Sequence, residues 1–89
     1  MIRRQVEIIN KLGLHARAAA KFVTLASGFQ SEIQLAHNGN QVNGKSIMGV
    51  MMLAAAKGTQ LELLVEGPDE QEATEKLCDL IANRFDEEC

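Results

Sequence analysis

Three short segments of this chain alternate apolar and polar side chains, and this pattern constrains the fold more than any other feature. One contains Val6 and Ile8, the next covers Glu32 to Leu35, and the third runs from Leu61 to Glu66. Alternation with a period of two predicts β-strands that each have a single apolar face. A sheet built from such strands needs cover on one side only.

A fourth, shorter strand is predicted at Gln41 to Asn43. It follows Asn38-Gly39, a dipeptide that favours a two-residue hairpin because both turn positions need positive φ. The short strand is therefore expected to form a hairpin with the strand before it.

Two helices are predicted between the strands, the first from helical periodicity and the second from its capping serine. One helix is expected to start near His15 and to stop at Gly28. Its buried face is expected to consist of Ala19, Phe22, Val23 and Ala26. A second, shorter helix is expected from Ser46, a good capping residue, to about Ala54.

The last helix is expected to begin after Pro68, where Asp69 can cap it and Glu72 stands three residues further on. Cys78 is expected at the edge of its core face. That face is expected to contain Ala73, Leu77, Leu80, Ile81 and the stem of Arg84.

The resulting order of elements is βαββαβα. Because each strand is apolar on one face only, the economical arrangement is a four-stranded antiparallel sheet with all three helices packed on one face. We therefore predict an α+β fold, an open-faced sandwich. A length of 89 residues is enough for one core, so a single domain over residues 1–89 is expected.

Composition excludes several classes of protein. The longest apolar stretch, Ile47 to Ala56, is about half the length that a bilayer requires, and no apolar signal core follows the N-terminus. We expect a cytoplasmic protein without membrane insertion. Cys78 and Cys89 are too few for a disulfide framework and have no neighbours at metal-ligand spacing, so free thiols and no metal or cofactor are expected.

Charge argues against nucleic acid as a partner. The net charge is -3, and three Phe with no Trp or Tyr offer little for bases to stack on. Residues 1–68 nevertheless carry seven bases and four acids, whereas residues 69–89 carry two bases and eight acids. A basic body suggests that this part of the protein meets anions or acidic partners, although the acidic segment is equally well explained as a solvated helix face.

The segment from Gly13 to Phe22 is the best candidate for chemistry. A histidine at the first position of its Ala-rich helix faces unpaired backbone N–H groups and the positive end of the helix dipole, which disfavour the protonated ring. Neutral His15 can attack an electrophile, and the same N–H groups can stabilise an attached phosphoryl group with help from Arg17. A histidine at a helix start is more often only a cap, so the spacing alone leaves both interpretations open.

The segment Gly39 to Ser46 fits the pattern G-x-x-x-x-G-K-S of nucleotide hydrolases. Here, however, Asn38-Gly39 is predicted to be a hairpin turn and Val42 to lie in a strand, whereas a phosphate loop must wrap around its ligand. The chain also has too few parallel βαβ units to build the nucleotide site. We interpret the match as accidental.

Ser46 has two compatible interpretations, a helix cap and a phosphorylatable hydroxyl. The short helix behind it can bury only one face, for which Val50 and Leu53 are suited. Ile47, Met48 and Met51 are then left as exposed contacts, and methionine adapts to several partners. The alternative, that the methionines fill gaps in the core, stays open at this point.

Two segments, Gly13 to Arg17 and Val42 to Met51, resemble the signature motifs of the HPr family, the histidine phosphocarriers of the bacterial phosphoenolpyruvate-dependent phosphotransferase system. The first is similar to the family's phosphorylation motif and the second to its regulatory-serine motif. The resemblance covers nearly the whole chain, with both motifs in the family's order. It implies the same βαββαβα sandwich.

The resemblance also implies roles. His15 is expected to accept a phosphoryl group from enzyme I and to pass it to a histidine of a IIA component, assisted by Arg17 and by the first-turn amides of Ala16 and Arg17. Ser46 is expected to be a substrate of HPr kinase/phosphorylase. Lys21 and Lys45 are expected to steer acidic partners towards the site. The chain is then a relay protein and not a free-standing enzyme, and we expect it to be a monomer.

One position departs from the family pattern. The family usually has proline directly after the motif arginine, and this chain has Ala18, which restores an N–H and loosens the turn. The sequence leaves open whether the relay serves sugar uptake or, as in the nitrogen-related branch of the system, only regulation. The alternative function is a regulatory adaptor that acts by docking through Ile47, Met48 and Met51, with His15 incidental.

Overall fold

The computed structural model of the chain describes residues 1–87. Within them, four strands and three helices follow in the predicted order. Their bounds are β1 Ile2–Glu7, α1 Ala16–Ala26, β2 Glu32–His37, β3 Asn40–Asn43, α2 Ile47–Met52, β4 Gln60–Glu66 and α3 Glu70–Ala82, followed by a short helical turn at Arg84–Asp86. Cys89, which we expected to be a free thiol, lies outside the described residues.

The strands form one antiparallel sheet in the order β1-β4-β2-β3. The turn between β2 and β3 contains two residues, Asn38 and Gly39, with φ of 50° and 84°. Positive φ at both turn positions matches the right-handed twist of the flanking strands. The predicted hairpin is thus confirmed.

The core lies between the helices and one face of the sheet, as the alternation predicted. All four residues expected on the buried face of α1 are buried. Ile33, Leu35, Leu61, Leu63 and Val65 cover them from the sheet. The predicted α+β fold with three helices and an open sheet is confirmed. No helix within residues 1–87 combines the length and the apolar character needed to cross a membrane.

The end of α3 differs from the prediction. Ala73, Leu77 and Ile81 are buried as expected, and Leu80 and Cys78 are partly buried against the core. Arg84, however, is exposed, and the neighbouring Phe85 is fully buried in its place. The reason is a reversal of the chain after α3, which a continuing helical pattern does not predict.

This reversal uses a conformation that side chains rarely adopt. Arg84, Phe85 and Asp86 have φ of 56°, 52° and 63°, three consecutive non-glycine residues in the left-handed region. Each costs about 1 to 2 kcal/mol relative to the right-handed region. Burial of a phenylalanine offsets about 1.5 to 3 kcal/mol of this cost. The turn therefore depends on the contacts that its residues make.

Asp69 does not cap α3 through its side chain, contrary to the prediction. Its carboxylate accepts hydrogen bonds from the Gln30 and Ser31 amides, at 2.9 Å each, and from the Ser31 hydroxyl at 2.5 Å. Asp69 thus ties the start of α3 to the loop before β2. The Gly67 amide instead donates to Glu70 Oε1 at 3.1 Å.

We expect Asp69 to make the stability of the protein depend on pH. The Ser31 hydroxyl and then the Gln30 amide hold the pKa of Asp69 below its usual value. An acid with a lowered folded pKa contributes stability above its unfolded pKa, about 3.9, and loses it as the pH falls through the folded value. The difference in free energy of unfolding between the wild type and Asp69→Asn should therefore shrink below about pH 4.

Urea unfolding at pH 7, 5 and 3 measures this difference. The control is Glu72→Gln, which removes an exposed carboxylate from the first turn of the same helix. This control should follow the wild type at each pH. A wild-type advantage over Asp69→Asn that stays constant from pH 7 to pH 3 would contradict the role given to the Asp69 hydrogen bonds.

Candidate functional site

The loop before α1 is shaped by Gly13. Its φ is +68°, and a Cβ atom there would lie 2.4 Å from the Ala55 carbonyl oxygen and 2.9 Å from the Ala56 Cα. Only glycine fits this close approach without a shift of the backbone. The next amide, of Leu14, donates to the same Ala55 oxygen at 2.8 Å. The loop is therefore fixed against the segment after α2, and it delivers His15 to the start of α1.

His15 occupies the N-cap position of α1, with φ of -75° and ψ of 176°. Its carbonyl accepts from the Ala19 amide at 2.8 Å, but its ring makes no capping hydrogen bond to the helix amides. The interpretation of His15 as a plain side-chain cap is therefore wrong. The first-turn amides of Ala16 and Arg17 have no acceptor within the helix and are available to a ligand.

The two residues after Ala16 have different environments. Arg17 is exposed in the first turn of α1, two residues after His15. Ala18, which stands where the family usually has proline, is fully buried. Its small side chain packs into the core, so the departure from the family pattern leaves the start of the helix in place.

The His15 ring has a partner that the sequence did not predict. Its Nε2 atom lies 2.5 Å from Glu87 Oε2, and Asn10 Nδ2 donates to Glu87 Oε1 at 3.0 Å. Asn10 is fully buried in the loop before α1. Glu87 is 72 positions away from His15, and only the reversal after α3 brings it back to the site. No local pattern signals such a contact.

Ser46 caps α2. Its Oγ accepts from the Gly49 amide at 3.1 Å, and its carbonyl accepts from the Val50 amide at 2.9 Å. The capping interpretation is confirmed, and the side chain remains half-exposed. The helix ends at Met52, two residues earlier than expected, because Ala54 has a φ of 52° that a right-handed helix cannot continue through.

Exposed apolar side chains surround α2. Val50 and Leu53 are buried as predicted, at 0% and 8% exposure. The methionines expected as contacts are exposed, which excludes the alternative that they fill the core. The apolar patch, as we call it, consists of Leu12, Ile47, Met48, Met51 and Met52, with exposures of 66%, 44%, 74%, 41% and 77%. Leu12 and Met52 were not predicted. Leu12 lies in the loop that Gly13 and Leu14 fix against Ala55, just after α2, so the patch extends to the loop that carries His15.

Lys21 and Lys45 are more constrained than free surface charges. The ammonium group of Lys21 donates to the Phe85 carbonyl at 2.8 Å, and that of Lys45 donates to the Phe29 carbonyl at 2.7 Å. Both side chains are half-buried. Their charges therefore have fixed positions, one at Phe85 in the turn after α3 and one at Phe29 in the loop after α1.

The segment that matches the phosphate-loop pattern is part of the β2–β3 hairpin and of the connection to α2. Residues 40–43 form β3 and pair with residues 34–37 of β2. A Cβ atom at Gly44 would lie 2.7 Å from the Ile33 side chain, and the Gly44 amide donates to the Ile33 carbonyl at 2.7 Å. The glycine is thus needed for packing against the sheet. The segment is extended and paired in the sheet and does not form a loop that could wrap around a phosphate. This agrees with the interpretation of the match as accidental.

Comparison with known proteins agrees with this geometry. A family model described as the PTS HPr component phosphorylation site matches residues 2–83. "Phosphocarrier protein HPr" of Cupriavidus necator is 59% identical over 87 residues, which cover 98% of each chain. The crystal structure of an HPr from Thermoanaerobacter tengcongensis has a TM-score of 0.96 and 48% identity, with full coverage of both chains. An HPr dimer from the same organism has a TM-score of 0.79 and 48% identity, and the match covers 98% of this chain and 100% of that one.

These similarities extend over the entire sandwich and include both segments on which the resemblance rested. The histidine segment opens α1, and the serine segment caps α2, within the 82 residues that the family model matches. The chain therefore belongs to the HPr family of phosphocarrier proteins of the phosphotransferase system.

Proposed function

We propose that His15 is the phosphoryl acceptor of this phosphocarrier, that enzyme I is its donor, and that a histidine of a IIA component is its acceptor. The observation that supports this most directly is the state of the ring. His15 is 28% exposed at the start of a helix whose amides it does not use. A nucleophile with unpaired amides beside it is what a transient phosphoryl group requires.

The surrounding residues support transfer in both directions. First-turn amides of Ala16 and Arg17 stabilise negative charge on the phosphoryl oxygens, and the Arg17 guanidinium adds a charge-assisted contact. The helix fixes the two amides before the phosphoryl group arrives. Residues of the protein hold the group, while the donor and acceptor proteins supply the rest of the chemistry. The chain therefore acts in a cytoplasmic relay and does not turn over a substrate alone.

The apolar patch is the docking surface in this proposal. It lies beside the His15 loop, and the fixed charges of Lys21 and Lys45 attract acidic partners. Five large apolar side chains exposed around one short helix and the adjoining loop mark a surface that a partner can cover. The protein works as a monomer here, so that the same patch is free to meet the donor and the acceptor in turn.

Ser46 is the regulatory site in this proposal, phosphorylated by an HPr kinase/phosphorylase. Its hydroxyl is half-exposed next to the patch, and its position as a cap already tolerates a hydrogen-bond acceptor. A phosphate there would add about -1.5 to -2 charges at the edge of the docking surface. The fold is retained, and recognition by acidic partners is weakened.

The experiment for the relay is incubation with enzyme I and radiolabelled phosphoenolpyruvate. An acid-labile, base-stable phosphate on this chain, which then passes to a IIA component, is the expected result. A chain that gains no label while a control HPr in the same assay is labelled would contradict the proposal. It would favour the alternative of an adaptor, for which the apolar patch is the supporting observation.

The docking role predicts the effect of shortening the two central methionines. Met48→Ala with Met51→Ala should raise the apparent KM for enzyme I about tenfold, because burial of such a side chain contributes about 1 to 3 kcal/mol. The midpoint of thermal unfolding should stay within a few degrees of the wild type, since both side chains are exposed. Steady-state transfer assays and calorimetry measure these two quantities.

The matched control is Val50→Ala, on the same helix. Val50 is fully buried, so this variant should lower the unfolding midpoint while the KM for enzyme I changes little. If the methionine variant instead loses stability and keeps its KM, the two residues belong to the core and not to the docking surface.

A further inference from the structure

The segment Asn83–Glu87, which we call the C-terminal strap, returns from the end of α3 to the active-site loop. It is held by its own backbone, since the Asp86 amide donates to the Asn83 carbonyl at 3.0 Å and the Glu87 amide donates to the Arg84 carbonyl at 2.9 Å. The Asn83 side chain adds a hydrogen bond to Asp86 Oδ1 at 2.7 Å. The strap is therefore a closed turn.

Two contacts attach the strap to α1. The Phe85 side chain is fully buried in the core, and the Lys21 ammonium group donates to the Phe85 carbonyl at 2.8 Å. Three consecutive left-handed residues persist only where the surroundings determine their conformation. The position of the next residue, Glu87, is thus set by tertiary contacts.

Both oxygens of the Glu87 carboxylate are engaged. Oε2 lies 2.5 Å from His15 Nε2, and Oε1 accepts from Asn10 Nδ2 at 3.0 Å. The same Asn10 amide group donates to the Gly13 carbonyl at 2.8 Å, so it joins the strap to the loop that carries His15. The Glu87 side chain is 13% exposed. This carboxylate is oriented by a buried amide and aimed at one ring nitrogen.

Glu87 is ionised near neutral pH. Burial alone acts to raise the pKa of this carboxyl, but the hydrogen bonds from Asn10 and His15, with the charges of His15 and Arg17, outweigh it and hold the pKa below its usual value. An ionised carboxylate can only accept hydrogen bonds. His15 Nε2 must therefore carry a proton, and in the neutral ring the lone pair is on Nδ1.

We propose that Glu87 is a positioning residue for phosphoryl transfer, which holds His15 in the tautomer with Nε2–H and presents the Nδ1 lone pair to the phosphoryl donor. This inference rests on the proposed function of His15. It adds to that function a residue from the far end of the chain. It also adds a second residue, Asn10, that orients the carboxylate.

The step balances without movement of a proton from the ring. The Nδ1 lone pair forms the N–P bond, and the bond from phosphorus to the leaving atom of the phosphorylated donor protein breaks, with its electron pair leaving on that atom. The His15 ring, now substituted on Nδ1 and still protonated on Nε2, carries a positive charge. Glu87 is already paired with this N–H and stabilises the charge as it develops. Return transfer reverses each change.

The ring geometry separates the two negative groups. Glu87 occupies the Nε2 side, which leaves Nδ1, the ring nitrogen nearer the backbone and the first turn of α1, free to receive the phosphoryl group. The phosphoryl group is thus received by Ala16 and Arg17 while the carboxylate stays on the opposite nitrogen. The carboxylate does not need to leave for transfer to occur.

The first test is spectroscopic and needs no partner protein. ¹⁵N chemical shifts of the ring at a pH where His15 is neutral should report almost only the Nε2–H tautomer in the wild type. In Glu87→Gln the amide can accept from Nε2–H or donate to bare Nε2, so a substantial share of Nδ1–H should appear. An Nε2–H population that is unchanged in this variant would overturn the proposal.

The second test is kinetic. For Glu87→Gln we expect kcat for acceptance from phosphorylated enzyme I to fall about tenfold, the lower end of the about 10- to 100-fold effect known for carboxylate partners of metal-binding histidines. KM should stay within about twofold, because the docking patch is untouched. The control is Glu72→Gln, which removes an exposed carboxylate from α3 and should leave both constants unchanged. A raised KM with unchanged kcat would overturn the proposal, and so would faster acceptance by Glu87→Gln, which would make the strap inhibitory.

The two proposals fail in different ways. If His15 is not the acceptor, the wild type gains no label on that residue, whatever the tautomer spectra show. If His15 is the acceptor and Glu87 does not position it, the wild type is labelled normally and the Glu87→Gln variant matches it in both tautomer and kcat. The isosteric substitution keeps the volume of the side chain, and equal unfolding midpoints of the variant and the wild type verify that the strap remains folded.

Discussion

His15→Ala should abolish acceptance of phosphate from enzyme I and leave the protein folded. The ring is the only part of the residue that can form the N–P bond, so no partial activity is expected. The helix start depends on the His15 carbonyl, which accepts from the Ala19 amide, and this bond survives in the variant. Loss of an N-cap side chain costs at most about 2 kcal/mol, and here the ring makes no capping hydrogen bond.

The measurement is the amount of acid-labile phosphate after incubation with enzyme I and phosphoenolpyruvate. His37→Ala is the matched control, because His37 is the other histidine of the chain and lies at the end of β2, where its Nδ1 is 3.2 Å from the Gln60 carbonyl. This control should be labelled like the wild type. Retention of label in the His15 variant, or its loss in the His37 variant, would assign the wrong histidine.

The elements that could be predicted from the sequence are those with local signals. Strand alternation identified three of the strands, and the Asn38-Gly39 dipeptide identified the hairpin and with it the short strand β3. The positions in α1 that lie on one face at helical spacing are buried. Such patterns depend on the burial of one face of one element, and neighbouring residues carry that information.

The elements that could not be predicted depend on contacts distant in sequence. Asp69 has the composition and place of a helix cap, yet its carboxylate meets the Ser31 amide and hydroxyl from the loop before β2, which lies 38 positions away. Arg84, whose stem was expected to be buried, is exposed, and Phe85 is buried, because the chain reverses through left-handed residues. The periodicity of apolar residues does not predict such a reversal.

The candidate site likewise contains residues that the sequence predicted and residues that it did not. His15 and Ser46 were found because each starts a helix, and a helix start is visible in sequence. Glu87 and its partner Asn10 come from opposite ends of the chain and have no motif of their own. The exposure of Met52 also escaped prediction, since the end of α2 is set by the left-handed Ala54 and not by hydropathy.

Ser46→Asp should lower acceptance from enzyme I on the order of a hundredfold when enzyme I is limiting, since unfavourable charge at an interface costs several kcal/mol. An aspartate at this position can accept the Gly49 amide as the serine does, so α2 should remain intact. The added charge stands between Lys45 and the exposed Ile47 and Met48. It cancels part of the attraction for an acidic partner and places bound water on an apolar surface.

Because the charge acts on recognition, the loss should be confined to binding. Transfer rates measured at limiting and at saturating enzyme I should differ strongly between Ser46→Asp and the wild type in the first condition and little in the second. Ser46→Asn is the matched control, with the same shape and capping ability and no charge, and should behave like the wild type. Added salt screens interactions between exposed charges, with a Debye length of about 10 Å at 0.1 M that shortens as salt rises, so the defect should shrink along a salt series. Equal rates at limiting enzyme I would leave Ser46 as a helix cap alone, because the charge would then stand outside the surface that enzyme I contacts.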